Sequence, residues 1–443
     1  MEFVQGLWLR AEHMARLTPD SRNRFVDFLR AASIGVVILG HWLVAAPSLG
    51  TDGSVVPGHM LAIAPWTQWL TLVLQVMPIF FLVGGYANAI AWQAAERKNV
   101  AYGDWLAARF RRLVRPVIPV LLLWTAIALT ALGFGLPGEW VGTLSQVALV
   151  PTWFLAVYVM VGVVVPWTHR AWKRFGFASF AALVAGAIGV DVLCFASGVR
   201  EIGLLNYGFV WLAIHQLGYA WRDDRLHGRL LWAGAGALTT ALLVWVGPYP
   251  LAMVGVPGAE LSNTSPPTLA LLALGVCQAG VVLHFEPFAR RMLDHASVWT
   301  ATVLVNGIIM SLYLWHMTVM IGVYAIDAML GGISLTLLPD SAAWWLSRPL
   351  VMFVLLAVLL PFVGIVAHFE RPAAAILTAS RRRLVPGAAM VCTGLALISE
   401  YGVVSANGLR LVPTLLPILG TGIAGFGPLG RILGGVGSEE VGG

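Results

Sequence analysis

Residues 24–45 read RFVDFLRAASIGVVILGHWLVA. The apolar run that starts at Phe25 and continues to about residue 47 is long enough to cross a hydrocarbon core of about 30 Å at 1.5 Å per residue. Only Asp27, Arg30 and His41 place ionisable groups in it. Runs of the same kind recur at 66–94, 113–133, 145–167, 176–197, 203–221, 230–247, 268–285, 300–325 and 346–367, with an eleventh near 386–404. They are continuously apolar and lack the period-two alternation of a barrel strand, so they predict helices. The expected fold is all-α: a polytopic membrane helix bundle of about ten core transmembrane helices plus an extra C-terminal one.

Composition agrees. Of 443 residues, 59% are apolar and 11% charged, against about 25% charged in an ordinary soluble domain. The mean hydropathy is +0.82. These values exclude a soluble globular enzyme and a disordered chain. Cys194, Cys277 and Cys392 lie in apolar stretches without metal-ligand spacing, which excludes a disulfide-stapled secreted domain and points to no metal site. The net charge of +6 comes from basic residues at the ends of apolar segments, so it does not point to nucleic acid.

Arginine and lysine also set the orientation. One set of loops holds Arg22 and Arg24, Arg97 and Lys98, Arg109 to Arg112, Arg170 to Arg174, Arg222 to Arg229, Arg290 and Arg291, and Arg381 to Arg383; up to the tenth span the opposite set holds only Arg200 and Arg348. The positive-inside rule then puts the N-terminus in the cytoplasm of a multi-pass protein of the plasma (inner) membrane. Loops near 48–65, 134–144, 248–267 and 326–345 become extracytoplasmic. The domain reading is a cytoplasmic segment 1–24 with no cleavable signal peptide, a membrane domain 25–372, and a region 373–443. That last region holds a basic linker, the extra helix and a Gly/Pro-rich tail of little periodicity.

An ionisable group in a membrane core is costly, so each is a functional candidate. Arg30 and His41 are eleven residues apart, three turns plus about 20°, and lie on one helix face about 16 Å apart along the axis. Asp27 and Ser33, each three residues from Arg30, flank that line by about 60° on either side. A cation near the inner face and a titratable base deeper in suit an anionic donor entering from the cytoplasm. Arg112 and Arg115, three apart in ARFRRLVRPVIP at the expected start of the third span, offer guanidinium forks suited to phosphate oxygens next to a helix N-terminus. Setting topology or binding anionic lipid heads explains such arginines equally well. In the ninth span, SLYLWH ends in His316, about as far along its helix as His41 is along the first. Trp153, in the Pro151-Thr152-Trp153-Phe154 run, falls at a roughly similar level, and Glu370 lies at the inner end of the tenth span.

In order and location these elements resemble acyltransferase family 3, integral-membrane proteins that O-acylate cell-surface sugars, lipids and antibiotics. The likeness covers about Phe25 to Pro372. It rests on Arg30 with His41 eleven residues on, the Phe80-to-Tyr86 stretch FFLVGGY, Arg112-x-x-Arg115, Trp153-Phe154-Leu155, Ser311 to His316, and Glu370-Arg371-Pro372. Gly84 stands where the family commonly has Ser, and no esterase-like soluble domain is fused.

The resemblance implies acyl-CoA as co-substrate, with no bound cofactor. Arg112 and Arg115 would meet its phosphates, with Arg30 as a third contact. His41 would act as general base on the acceptor hydroxyl or accept the acyl group transiently. Asp27, Trp153, Tyr313, His316 and Glu370 would support the site, several of them on the acceptor side. The acceptor would be a hydroxyl of a cell-envelope glycan or glycolipid. Two other readings use the same residues: a proton-coupled transporter or flippase with Asp27, Arg30 and His41 as relay, and a scaffold in which they only fix packing. A different membrane acyltransferase arrangement would pair Asn306 with His316.

Overall fold

The computed structural model describes residues 2–19, 21–369 and 381–426. Along the chain run α1 (Glu2–Arg16), α2 (Arg24–Val44), a small hairpin β1 (Ser48–Leu49) and β2 (Val55–Val56), α3 (Met60–Ile63), α4 (Thr71–Leu74) and α5 (Met77–Arg97). Then come α6 (Tyr102–Val114), α7 (Val117–Gly133), α8 (Gly138–Leu149), α9 (Thr152–Phe175), α10 (Phe177–Ser197), α11 (Asn206–Arg222) and α12 (Arg229–Trp245). The rest is α13 (Leu269–His284), α14 (Glu286–Leu293), α15 (Ala296–Met329), α16 (Ala342–Phe369), α17 (Arg381–Tyr401), a hairpin β3 (Val404–Ser405) and β4 (Gly408–Leu409), and α18 (Leu411–Ile423).

The protein is an all-α, multi-pass bundle. The expected segments fall on helices, but 66–94 runs over α4 and α5, and 145–167 over the end of α8 and most of α9. Among the described residues eight helices are long and apolar enough to cross a membrane, or nine with α13 and α14 counted as one span bent by 52°. The shortfall from eleven has a geometric cause. Helices α11 and α12 have 17 residues each, about 25 Å at 1.5 Å per residue. Helix α11 also carries Asn206, His215 and Gln216, all buried, so it is an interior helix.

Two departures from the sequence reading bear on the site. Arg112 and Arg115 do not stand inside the start of the third span: they end α6 (Tyr102–Val114), and α7 starts beyond them at Val117. Pro116, which has no N–H to donate, stands between the two helices. The Gly/Pro-rich tail expected after residue 405 forms β3, β4 and α18 as far as Ile423. The apolar LVPTLLPIL run accounts for that helix, with Pro417 inside it.

The chain divides into two compact units. The first comprises residues up to Ile90, Pro166–Ile309 and Asp327–Phe353. Within it α5 and α11 cross backbone to backbone. A Cβ at Gly85 would overlap the His215 carbonyl, and one at Gly218 would overlap that of Leu82. The FFLVGGY stretch is thus a packing element. Phe81 stacks on Trp211 at 4.3 Å between ring centroids, and the Tyr86 hydroxyl accepts from Asn23 Nδ2 at 3.0 Å. At the other end of this unit Ala46, Met60, Ala64 and Trp344 form a buried cluster.

The second unit comprises Ala91–Val165, Met310–Ile326 and Val354 onward. Helix α17 packs on α18, and the turn after it is pinned to α8. Gln146 Nε2 donates to the Glu400 carbonyl at 2.5 Å, and Val403 N donates to Ser145 Oγ at 3.1 Å. Thr152 Oγ1 bonds the carbonyls of Leu149 and Leu395 at 2.7 and 3.1 Å, tying the start of α9 to α17.

Candidate active site

The N-terminal end of α2 is built around Asp27. Asn23 caps the helix by accepting from Phe25 N at 3.2 Å. Asp27 is buried in the first turn, where a carboxylate suits the helix dipole. It accepts from Arg22 Nε at 2.6 Å and Nη2 at 3.1 Å, a fork on a carboxylate. That hydrogen bond, foremost, raises the Arg22 pKa above its ordinary value, so Arg22 stays charged. Arg30 Nη1 lies 3.9 Å from Asp27 Oδ1. The backbone carbonyl of Asp27 accepts from Asn306 Nδ2 at 2.8 Å, and the same amide donates to Thr302 O at 2.9 Å. Asp27 therefore anchors a cationic cluster, and Asn306 serves as its backbone clamp.

Three turns further along the unbroken helix stands His41, half-buried in the last turn of α2. Its carbonyl accepts from Ala45 N at 3.1 Å, closing the helix. The chain then returns at once. Ala45 pairs with His59 in an antiparallel bridge, and Ala46 N donates to Gly58 O at 3.0 Å. This fold-back brings His59 close enough to His41 for their charges to repel. His59 Nδ1 is shielded from water and has no hydrogen-bond partner. Burial lowers the His59 pKa from 6.5 to about 4, so the ring is neutral at pH 7.

In the second unit Arg112 is exposed in the last turn of α6 and Arg115 is half-buried as its C-cap. Both lie at a helix C-terminus, where cations are favoured, and not inside the start of a helix as expected. The first turn of α7 follows directly, and its N-cap Pro116 makes no side-chain capping bond. Arg109 stacks over Trp105 at 4.6 Å.

The same unit holds the SLYLWH segment of α15. Tyr313 is buried, and its hydroxyl donates to Pro151 O at 2.8 Å. His316, fully buried, has Nδ1 2.7 Å from Tyr313 O. A carbonyl only accepts, so Nδ1 carries the hydrogen. The Phe154 ring meets Tyr313 edge-on at 5.6 Å. Trp153, half-buried, stands edge-on to Phe154 at 6.3 Å.

The structure thus brings Asp27 and Arg30 together with Arg22, and groups Trp153, Phe154, Tyr313 and His316 around the α9 start. Glu370 lies outside the described residues. Sequence reasoning missed His59, and it counted Arg22 only as a topology marker. The available signal for His59 was a histidine in the short Gly- and Pro-containing loop directly after the first span. Chemically, the α2 line offers a fixed cation at one end and two imidazoles at the other, one of them neutral, sheltered and without a partner.

A family model described as an acyltransferase domain matches residues 23–368, more than three quarters of the chain. No curated protein and no solved structure matches it.

Proposed function

The chain belongs to acyltransferase family 3, and from that premise we propose that it moves an acyl group from cytoplasmic acyl-CoA to a hydroxyl of an extracytoplasmic glycan or glycolipid. The membrane is the plasma (inner) membrane, and the N-terminus is cytoplasmic.

Arg112 and Arg115 contact the phosphates of the donor, and Arg30 is a further cationic contact held by Asp27. His41 is the general base. It takes the proton from the acceptor hydroxyl as the oxygen attacks the thioester carbonyl. The C–O bond forms, the C–S bond breaks, and the thiolate of CoA receives the proton from the imidazolium. A general base of this kind contributes about 10²- to 10⁴-fold. Holding both substrates in place supplies much of the remainder. Trp153, Tyr313 and His316 shape the acceptor side.

One observation carries this reading: an unbroken helix with an anchored arginine at one end and a half-buried histidine three turns on. A lone structural histidine would need neither the arginine nor its carboxylate anchor.

The test uses purified wild-type and His41→Ala protein in detergent with a panel of radiolabelled acyl-CoAs. Thioester cleavage and label appearing in lipid or glycan extracts are followed. Turnover of one acyl-CoA by the wild type, lost in the variant, is the expected result. A folded wild-type protein that neither binds nor cleaves any donor would overturn the acyl-CoA reading and favour a transporter that uses Asp27, Arg30 and His41 as a proton relay.

A further inference from the structure

His59 sits where a structural histidine would be tied down, and it is not. Its backbone is held: it bridges to Ala45, and its carbonyl accepts from Ala62 and Ile63 at 3.0 and 3.1 Å. Gly58 beside it lies so close to Ala46 that a Cβ there would overlap the Ala46 carbonyl. Met60, the next residue, is buried in the cluster with Ala46, Ala64 and Trp344. Arg348, also buried, stacks over the Trp344 ring at 4.1 Å, so a cation lies behind this cluster. The loop therefore holds the imidazole in place beside the end of α2.

The side chain is used for none of this. His59 stands at the N-cap of α3 but makes no capping hydrogen bond. A sheltered ring nitrogen without a partner is a cost to the folded chain. In His316 the equivalent Nδ1 is bonded to a backbone carbonyl. The sheltered Nδ1 of His59 also belongs to the ring that lies within electrostatic range of His41. Both facts are accounted for if the missing partner arrives with the substrate.

We propose that His59 is an acceptor-binding residue, its Nδ1 taking a hydrogen bond from a second hydroxyl of the acceptor, which is therefore a polyol of the sugar type. The inference rests on the reading of His41 as the base for the reacting hydroxyl. That hydroxyl has one proton, and His41 takes it. In the tautomer that carries its hydrogen on Nε2, Nδ1 presents a lone pair and can only accept, so its ligand must donate. A simple alcohol has no second O–H to give; a sugar presents one on a neighbouring carbon. The ring is suited to this because burial keeps it neutral near pH 7.

The experiment uses the full chain, the acyl-CoA that the wild type cleaves best, and dodecyl maltoside as the sugar probe. Two products are counted in the same reaction: acyl maltoside and the free acid from transfer to water. Their ratio cancels any general loss of folded enzyme. His59→Asn keeps an acceptor oxygen at the δ position, whereas His59→Gln moves it one bond away and His59→Phe removes it. The ratio is expected to fall about tenfold in His59→Phe and His59→Gln, the size of one lost hydrogen bond, and to recover at least in part in His59→Asn. Equal ratios in the Asn and Gln variants would overturn the proposal, even if the Phe variant fails to fold. So would a wild-type protein that cleaves the donor but makes no acyl maltoside. A wild type that cleaves no acyl-CoA removes the underlying reading itself, a result distinct from both.

Discussion

At the Arg24 end of α2 the oxygens of Asp27 are taken up by Arg22 and Asn306, with Arg30 beside them. At the Val44 end backbone bonds such as Ala46 N to Gly58 O close the helix, and Nδ1 of the His59 ring is sheltered and has no hydrogen-bond partner. Both ends belong to the same unit and are joined by one helix. The difference separates what holds this helix from what it can offer a substrate. A paired charge network fixes position, because removing one member strands the rest. An unsatisfied group is a cost to the folded chain, and functional sites are where such costs are kept.

If that division is right, the two ends must fail differently. Replacing His41 by Ala is expected to give the largest effect on turnover, a loss of about 10²- to 10⁴-fold. The thermal midpoint in detergent should move little by comparison. Steady-state cleavage of the best acyl-CoA and a melting curve on the same preparation check both parts. A variant that melts far lower while each folded molecule keeps its activity would reverse the roles of the two ends.

Asp27→Asn attacks the other end. It removes the charge that holds Arg22 and sits beside Arg30, and hydrogen bonds to charged groups are worth about 1.5–3 kcal/mol. Arg22 is half-exposed, so the expected loss of stability is toward the lower figure, about 1.5 kcal/mol. A double-mutant cycle with Arg22→Gln should return most of that loss as coupling energy. No coupling between the two would break the picture of Asp27 as an anchor.

Arg112 and Arg115 make a third kind of region, charged but open to water. Each Ala substitution is expected to raise the donor KM by roughly threefold to tenfold, the range of a solvent-exposed phosphate contact. Added salt should shrink the difference from wild type, because exposed charges are screened within about 10 Å at 0.1 M ionic strength. Asp27→Asn should show no such salt dependence, which sharpens the contrast between anchored and open charges.

How far these regions were legible follows from where the information lies. The alignment of Arg30 with His41 is local: eleven residues on one continuous helix have a fixed angular relation. The apolar runs gave the helices for the same reason. The break between α6 and α7 is also local: Pro116 marks it, and the expected start near 113 falls within four residues of the α7 start at Val117. The packing role of FFLVGGY was not legible. Gly85 acquires its meaning only from Gly218 and His215 on a helix over a hundred residues away. His59 was hidden for the same reason: its relation to His41 comes from a fold-back held by the Ala45 bridge and by Trp344, nearly three hundred residues further on. The bond from the Tyr313 hydroxyl to Pro151 O was out of reach in the same way, because its partner lies more than 150 residues away in the chain.

The smallest expected effect tests the neutral state of His59 directly. Its pKa is about 4 in the folded protein and 6.5 when the ring is free in water. Between those values the unfolded chain carries a proton on this ring and the folded chain does not. Stability must then fall as pH is lowered through that window, because the unfolded state binds more protons. The contribution is complete above about pH 6.5 and is lost progressively toward pH 4. The cause is burial, which disfavours the charged form of the ring. The ring is partly open to water, so the effect is discounted to about 1 kcal/mol. Melting curves from pH 7.5 to 4.5 should therefore converge: the wild type should lose more of its midpoint than His59→Gln, which has no proton to take up at that position. Parallel curves for the two would mean that the His59 ring is solvated in the folded chain, and the contrast between the two ends of α2 would then lose its second histidine.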